Sequence, residues 1–439
     1  MSDSPPPGST TGSRPARLTS KYVRHLVPGW LIVRPDPIHY GHLALELQMS
    51  LVLARMRRAR LVVYHDHPWV NEGLLEIESP DVPIFRPGLL GRAACATAWW
   101  PQELLSPRSV FWHRALQRWR TALEDEMAGY ASSPRVPDAL RGTLKRIKSR
   151  IPTLPDLDMH AYYRRRLLRE EVPIRLRPAA RARAEQEART IGIAPDAPMV
   201  TVHAREAGFK LGHESHDKWR PAAGEDSAGF RDDSTRNIDI AGYFDAIDAL
   251  VARGFTVVRL GDPSMRPVAR RGLVDLATSP RRTPLLEVHC LMRSTFLVSG
   301  ESGPLGVAYL TNTPTLNVNA TDPISSYPIR ANGLYLLKRV VDRRTGQAVT
   351  PAEMLTPAFL IHVRDTTRYE YLDNTPDEIV KGVDEMLELI ARGVTPSDGQ
   401  RRFKALAIEA STCRLPYVQK WGADEGFMGD GWIARASVE

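Results

Sequence analysis

The stretch Ser294–Gly306, STFLVSGESGPLG, decides the fold of the surrounding chain. A short apolar run, Phe296 to Val298, leads directly into a Ser/Gly-rich turn that opens a helix. Glycines let the backbone approach a ligand closely, and the first turn of a helix has unpaired N–H groups at the positive end of its dipole. The stretch therefore predicts a buried strand followed by an anion site. The alternative interpretation is a tight turn, with Ser302 as N-cap and Pro304 in the first helical turn.

This stretch belongs to a regular alternation of strands and helices. Four apolar runs predict strands, and three periodic segments between them predict helices. The predicted strands are Met199–Val202, Thr256–Leu260, Thr295–Val298 and Thr315–Val318, and the predicted helices are Ile240–Ala252, Leu285–Met292 and Gly303–Tyr309. Such alternation is typical of a doubly wound α/β domain built on a parallel sheet.

The preceding part of the chain predicts a second α/β domain. Trp30–Val33 and Leu61–Tyr64 read as strands on either side of a helix that starts at Gly41, which gives a β-α-β unit. A later helix, Arg177–Ile191, ends at a glycine, and we place the domain boundary there. Two more helices are predicted between these elements, at Phe111–Met127 and Leu140–Ile151.

These patterns divide the chain into four parts. Residues 1–20 are a Pro/Ser/Thr-rich disordered tail, 21–192 the first Rossmann-like domain, 193–395 the second, and 396–439 a helical arm that packs across the domains. Inside the second domain, Thr375-Pro376-Asp377-Glu378 is a complete capping box that opens a helix to Ile390. We predict a helix at Arg401–Ala410 in the arm.

Composition excludes several classes of protein. With 439 residues, 43% hydrophobic and 25% charged, the chain suits a soluble protein of two domains, and no apolar run approaches the roughly 20 residues of a membrane span. Three widely spaced cysteines and an N-terminus without an apolar segment favour a reduced, cytoplasmic location. A net charge of +8 suits an anionic partner, but no nucleic-acid-binding spacing is present.

Ligands of open α/β sheets bind outside the carboxyl ends of the strands. In the second domain the predicted strands end in His203-Ala204-Arg205, in Arg259-Leu260-Gly261-Asp262-Pro263 and in Ser299-Gly300-Glu301-Ser302-Gly303. Guanidinium groups bind phosphate oxygens as a planar fork, which makes Arg205 the first candidate for a diphosphate clamp. A carboxylate such as Asp262 suits the edge of a nucleobase or a ribose hydroxyl. His203 and Asp262 could equally orient neighbouring loops.

The first domain contributes candidates for acid–base chemistry. Its first strand is followed by a loop that carries Asp36, His39 and His42. Histidine has the side-chain pKa best suited to accept the proton of a hydroxyl near neutral pH. His42, at the start of the helix, is the first candidate for such a base, with Asp36 and His39 in reserve, although a histidine there could also be a solvated capping residue. Glu46 is one helical turn away and could orient His42.

Taken together, the motifs resemble a family of bacterial glycosyltransferases that are distantly similar to GDP-fucose-dependent fucosyltransferases of the GT-B fold. The resemblance is strongest from Val200 to Leu316, where it includes the three strand ends and Arg236-Asn237-Ile238-Asp239, and it extends weakly to Gly41-His42. It implies a GT-B-like architecture of two Rossmann-like domains with a cleft between them. It also implies that His203 and Asp262 face the nucleobase, that Arg205 binds the pyrophosphate, and that Ser299, Ser302 and Gly303 bind its oxygens.

Some features depart from this pattern. Glu301 places a negative charge in the proposed phosphate turn, so it must point away, bind sugar hydroxyls, or indicate that the phosphates lie elsewhere. The long segment from Glu206 to Asn237 is either a flap over a substrate or an inserted loop. His213 and His216 are three residues apart, which does not match a metal-binding HExxH helix, and no GxGxxG dinucleotide motif is present.

We therefore predict a glycosyltransferase that moves a sugar from a nucleoside-diphosphate sugar, with GDP slightly favoured, to a hydroxyl of a small-molecule or glycan acceptor. The donor nucleotide is expected to contact His203, Arg205, Arg236, Arg259, Gly261, Asp262 and the residues Ser299, Gly300, Glu301, Ser302 and Gly303. No cofactor or metal is predicted, and the family resemblance alone favours inversion at the anomeric carbon. A homodimer is compatible with the sequence. The alternatives are a nucleotide-sugar epimerase or hydrolase of the same fold, or a binding protein without catalytic activity.

Overall fold

A computed structural model describes most of the chain. The described residues are 23–36, 39–64, 71–105, 165–207, 232–360, 362–393, 395–414 and 424–435. The predicted tail at 1–20, the predicted helices at 111–127 and 140–151, and the histidines His213 and His216 lie outside these ranges. No helix within them is long and apolar enough to cross a membrane.

The chain forms two compact units. The smaller unit contains residues 1–35, 53–66 and 84–157, and the larger contains 36–52, 67–83 and 158–439. The larger unit therefore takes in the first turns of a helix, α1, that runs from Tyr40 to Met56. The domain boundaries predicted from the sequence remain a prediction.

The described part of the smaller unit contains a sheet of four strands and a helix that follows its last strand along the chain. The sheet has the order β1-β2-β3-β5, in which β1 is antiparallel and the others are parallel. The strands are β1 (Arg24–Val27), β2 (Trp30–Val33), β3 (Arg60–Val63) and β5 (Ile84–Phe85), and the helix is α2 (Leu89–Leu105). The predicted strand at Trp30–Val33 is confirmed. β1 was not predicted from the sequence; it forms a hairpin with β2 through Gly29 at φ 78°.

The larger unit is built on a parallel sheet of seven strands. Their order is β15-β12-β11-β10-β7-β8-β9. The strands are β7 (Met199–His203), β8 (Thr256–Arg259), β9 (Leu273–Asp275), β10 (Leu297–Ser299), β11 (Thr315–Ala320), β12 (Gly333–Leu337) and β15 (Phe427–Met428). Every residue of β7, β10, β11 and β12 is buried, as expected for parallel strands covered on both faces. The four predicted strands are confirmed, with small changes at their ends.

Helices follow most of these strands, as the sequence predicted. They are α3 (Pro178–Thr190), α4 (Phe244–Ala252), α5 (Pro284–Arg293), α6 (Gly303–Thr311), α7 (Pro351–Met354), α8 (Pro357–Leu360), α9 (Pro376–Arg392), α10 (Asp398–Arg414) and α11 (Asp430–Arg435). Two small antiparallel pairs complete the unit, β4 (Ile77–Glu78) with β6 (Arg175–Leu176) and β13 (Arg339–Asp342) with β14 (Tyr369–Leu372).

Local signals fixed the ends of these helices. The predicted capping box is confirmed, because Thr375 Oγ1 accepts from Glu378 N and a Glu378 carboxylate oxygen accepts from Thr375 N. In the C-terminal segment, β15 extends the main sheet by pairing with β12. Packing of this segment as an arm across two domains remains a prediction.

Candidate functional site

Parallel pairing brings two of the predicted strand ends together. Ser299 of β10 lies opposite His203 of β7. His203 is 4% exposed, and its Nδ1 lies 3.0 Å from the carbonyl oxygen of Leu260, which can only accept a hydrogen bond. Burial, the main cause, lowers the pKa of His203 to about 4, so the ring is neutral near pH 7 with its proton on Nδ1.

This tautomer fixes the role of Ser302. His203 Nε2 has a free lone pair and lies 3.0 Å from Ser302 Oγ, so the hydroxyl donates to the ring. Ser302 is the N-cap of α6 by position, but its side chain makes no capping bond to the helix. The interpretation of Ser302 as N-cap, with Pro304 in the first helical turn, is therefore confirmed in position, while the Ser302 hydroxyl bonds to His203 instead of to the helix. Both nitrogens of His203 are engaged with protein groups, so its described contacts hold the turn in place.

Three arginines lie beside this turn. Arg205 Nη1 donates to the carbonyl oxygen of Asp233 at 2.8 Å and to Asn237 Oδ1 at 2.6 Å. Arg236 Nη1 is 3.5 Å from the carbonyl oxygen of Glu301, and its Nε is buried without a hydrogen-bond partner among the described residues. Burial and then the neighbouring Arg236 lower the pKa of Arg205 to about 10. Arg236 Nη2 also forms an ion pair with Asp233 at 3.3 Å, and Arg364 pairs with Glu301. Two carboxylates therefore face three guanidinium groups, and the positive charge is only partly compensated.

The third arginine, Arg364, explains Glu301. The Glu301 carboxylate is buried, and its Oε2 accepts from Arg364 Nη2 at 2.8 Å and from Thr321 Oγ1 at 2.6 Å. Its other oxygen accepts from the Ser326 hydroxyl. Glu301 therefore points away from Ser302 into its own ion pair, which is the first of the options that the sequence left open.

Arg364 was not predicted from the sequence. It lies between α8 and β14, in a segment where no periodic pattern or motif stands out, and its own φ is 64°. Pairing with Glu301 puts it within the electrostatic reach of Arg205, where it contributes to the lowered pKa of that guanidinium. The negative charge of Glu301 in the predicted phosphate turn was the one sequence signal that could have indicated a partner cation.

The neighbouring strand end, at β8, is organised differently. Arg259 has 0% exposure, and its guanidinium forms ion pairs with Glu206 at 2.8 Å and with Asp275 at 3.2 Å. These contacts hold the following loop, since the same guanidinium donates to the carbonyl oxygen of Arg266. The predicted role of Arg259 in nucleotide binding is not favoured by this arrangement. Asp262 is half-buried, and its Oδ1 accepts from Ser264 N at 2.9 Å.

Two of the predicted glycines are in close contact with their surroundings. A Cβ on Gly261 would lie 2.3 Å from Met265 Sδ, and one on Gly300 would lie 2.3 Å from Ile238 Cδ1. Ser299 Oγ donates to the carbonyl oxygen of Gly300, so this hydroxyl is used inside the turn. Close packing accounts for these positions without a ligand.

The start of α1 lies directly against the same turn. A Cβ on Gly41 would be 2.9 Å from Gly303 Cα, and a Cβ on Gly306 would be 2.6 Å from the carbonyl oxygen of Gly41. Only glycine allows two backbones to approach so closely. Two motifs about 260 residues apart in sequence, Gly41-His42 and the Ser/Gly turn, are thereby brought together within the larger unit.

Asp36, His39 and His42 form a cluster at this point. His39 Nδ1 donates to Asp36 Oδ2 at 2.9 Å, and His42 Nδ1 lies 3.6 Å from the same oxygen. The two imidazole rings are 5.3 Å apart between centroids and are exposed, with 47% and 59% of their side chains accessible. Asp36 is 15% exposed and is shared by both rings.

Glu46 supports this cluster through the backbone. Its Oε2 accepts from the N–H of Asp36 at 2.8 Å, and Asp36 Oδ1 accepts from the N–H of His39 at 3.2 Å. We predicted that Glu46 contacts His42. In the hydrogen bonds described, Glu46 instead fixes the backbone of Asp36. The Asp36 carboxylate is thus fixed within reach of both imidazole rings.

Comparison with known proteins gives only distant likenesses. No protein-family model matches the chain, and no curated protein does. Three solved structures resemble it at 12–13% identity. One is the ADP-heptose lipopolysaccharide heptosyltransferase II of E. coli (13% identity, TM-score 0.39, 81% of this chain and 98% of that one). The others are a glycosyl transferase of family 9 from Veillonella parvula DSM 2008 (13%, 0.31, 72% and 82%) and TibC, a dodecameric iron-containing glycosyltransferase from enterotoxigenic E. coli H10407 (12%, 0.35, 83% and 77%).

Proposed function

We propose that this chain is a glycosyltransferase that moves a sugar from a nucleoside-diphosphate sugar to a hydroxyl of a small-molecule or glycan acceptor. One observation carries the proposal. The contact between Gly41 and Gly303 sets an Asp–His cluster beside a turn that is bordered by arginines. A cationic site for a leaving group next to a base for a nucleophile is the arrangement that this reaction requires.

The arginines supply the diphosphate site. Within the described residues, Arg205 uses only Nη1 for its hydrogen bonds to protein, which leaves Nε and Nη2 for phosphate oxygens. Its lowered pKa reflects burial beside like charges, and an anion would relieve both effects. The N–H of Gly303 at the start of α6 adds the positive end of a helix dipole. Pro304, in contrast, has no N–H, and Leu305 N donates to the carbonyl oxygen of Ser302.

The Asp–His cluster supplies the base. When Nδ1 of His42 carries its proton towards Asp36, the lone pair of Nε2 is free to accept the acceptor's proton. Asp36 stabilises the imidazolium that forms. His39 shares the same carboxylate and is the second candidate for this role.

The reaction is then a displacement at the anomeric carbon. The acceptor oxygen forms the new bond, the bond to the diphosphate oxygen breaks, and its electron pair leaves with the diphosphate. The proton of the acceptor hydroxyl goes to His42. Attack opposite the leaving group inverts the anomeric centre, and Arg205, Arg236 and the α6 dipole stabilise the departing charge without a metal ion.

The family resemblance favours guanine as the nucleobase of the donor, and the carboxylate of Asp262 could bind it. A guanine edge presents two N–H donors, and a carboxylate accepts both. Ser264 N already donates to one oxygen of Asp262, which holds the side chain in a fixed orientation. We therefore propose that Asp262 binds the nucleobase of the donor and that His203 only holds Ser302 in place.

A thermal-shift series against GDP, UDP, dTDP and ADP tests the proposal first. A nucleotide at about 100 times its Kd stabilises the fold by about 2.7 kcal/mol, so the preferred base is identified by the largest rise in Tm. The corresponding sugar nucleotide is then incubated with candidate acceptors, and the products are analysed. Release of diphosphate only in the presence of an acceptor supports transfer; equal release without one indicates a hydrolase, and no shift with any nucleotide contradicts the proposal.

A further inference from the structure

We propose that Asp36, His39 and His42 also bind one divalent transition-metal ion such as Zn²⁺, and that the bound ion switches off the base. Two imidazole nitrogens and one carboxylate oxygen converge here, and their ligand atoms all lie within 4.8 Å of one another. Imidazole with carboxylate is a ligand set that suits Zn²⁺, Fe²⁺ and Co²⁺, whereas Mg²⁺ and Ca²⁺ prefer oxygen ligands alone.

The separations match those of a coordination sphere. Ligands about 2.1 Å from an ion lie about 3.0 Å apart in octahedral and about 3.4 Å apart in tetrahedral geometry. The observed distances from Asp36 Oδ2 are 2.9 Å to His39 Nδ1 and 3.6 Å to His42 Nδ1. Both rings are exposed, so small rotations of their side chains complete the site.

The backbone prearranges the three ligands. The N–H of Leu43 donates to the carbonyl oxygen of His39, so His39 caps the start of α1, and His42, three residues later in its first turn, lies on the same face. Glu46 holds the backbone of Asp36 and adds a second negative charge, which offsets the unfavourable helix dipole for a cation.

Three protein ligands leave open positions on the ion, which water would fill. The chemical consequence concerns the proton on His42. A metal bound at Nδ1 leaves the proton of the neutral ring on Nε2, so that nitrogen has no lone pair for the acceptor hydroxyl. This inhibitory effect rests on the proposed function, whereas binding of the ion does not.

Cobalt binding to the chelator-treated full chain tests the site directly. We expect one Co²⁺ per chain with visible d–d absorption, displaced by Zn²⁺, and a loss of affinity of more than 10-fold in both Asp36→Asn and His42→Ala. Both side chains can be replaced without filling or emptying a core position, and a thermal melt checks folding. Glu46→Gln should weaken binding less than either ligand variant.

The double variant His213→Ala/His216→Ala is a matched control, because it removes another closely spaced histidine pair with a neighbouring acid, outside the described residues. It should bind Co²⁺ as the parent does. Unchanged affinity in Asp36→Asn, or loss of the signal in the control, overturns the site. Where transfer is measurable, Zn²⁺ should inhibit it and a chelator should restore it; full activity of the metal-bound protein overturns the switch, while binding without any transfer contradicts the proposed function only.

Discussion

The ends of two adjacent strands carry arginines with opposite roles. At the β7–β10 end, formed by His203, Arg205 and Ser302, Arg205 donates to neutral oxygens, and burial, followed by the neighbouring Arg236, lowers its pKa. At the β8 end, formed by Arg259 and Asp262, Arg259 is neutralised by Glu206 and Asp275. An arginine attracts an anionic ligand through charge that the protein has not already compensated. Location at the end of a strand does not by itself leave the charge of an arginine uncompensated.

The largest effect should come from breaking the β8 end. Arg259→Met leaves Glu206 and Asp275 without their buried cation. We expect the free energy of unfolding to fall by about 3 kcal/mol, the lower limit for a broken buried ion pair, because Glu206 keeps some contact with water. Arg205→Met should cost less, about 1.5 kcal/mol, because it leaves no buried carboxylate without its cation and relieves repulsion from Arg236, which offsets part of the loss of two charged hydrogen bonds. Urea unfolding measures both; equal losses would contradict the contrast.

The second effect concerns the pH dependence of the β7–β10 end. His203 has a pKa of about 4 when folded and an ordinary value of 6.5, so only the unfolded chain takes up its proton between these values. Stability from this residue is complete above pH 6.5 and is lost as the pH falls towards 4, at about 1.4 kcal/mol per pH unit. His203→Asn should reduce the measured slope by up to that amount.

His289 provides the comparison for this experiment. Burial also lowers its pKa to about 4, but it lies on α5 and contributes nothing to the proposed site. His289→Asn should therefore reduce the slope in the same way while leaving donor affinity intact. His203→Asn should weaken donor binding as well. If neither variant changes the slope, the neutral state assigned to these rings is wrong.

A smaller effect should follow from separating the two motifs. Gly41→Ala puts a Cβ at 2.9 Å from Gly303 Cα, where only backbone can give way, and we expect about 1–3 kcal/mol of destabilisation together with a fall in kcat. Gly242→Ala is the matched control, because a Cβ there meets nothing within 4 Å. It should change stability by less than about 0.5 kcal/mol. Thermal melts and transfer assays on both variants measure these differences.

Removing the Ser302 hydroxyl should have the smallest effect. Ser302→Ala leaves His203 Nε2 without its donor, at a cost of about 1 kcal/mol in stability. Donor affinity should fall modestly, because the turn loses the side chain that positions it. A calorimetric titration with the preferred nucleotide measures this; a gain in affinity would indicate that the hydroxyl restricts the site.

Much of this arrangement could be predicted from the sequence, because it depends on local patterns. Apolar runs located the strands, and parallel pairing then required that His203 and Ser299 lie side by side. The capping box at Thr375 fixed a helix start in the same way. Each of these inferences uses residues that are close in sequence or strands whose direction is fixed.

The rest depended on partners far away in sequence. Nothing next to Arg259 indicates that Glu206 and Asp275 neutralise it, and nothing next to Glu301 indicates Arg364. The contact of Gly41 with Gly303 is likewise a property of the folded backbone. Short motifs thus identified the candidate residues, and only the packing showed which of their charges remain available.

The most direct test of the account is donor binding by Arg205→Ala, measured by calorimetry with the nucleoside diphosphate that the thermal-shift series selects. Loss of one charged hydrogen bond, worth about 1.5–3 kcal/mol, predicts a Kd raised about 10- to 150-fold. Arg253→Ala, which removes an exposed arginine paired with Asp384, should bind as the parent does. A folded Arg205→Ala protein with unchanged affinity would contradict the central claim that uncompensated charge at the β7–β10 end holds the donor diphosphate.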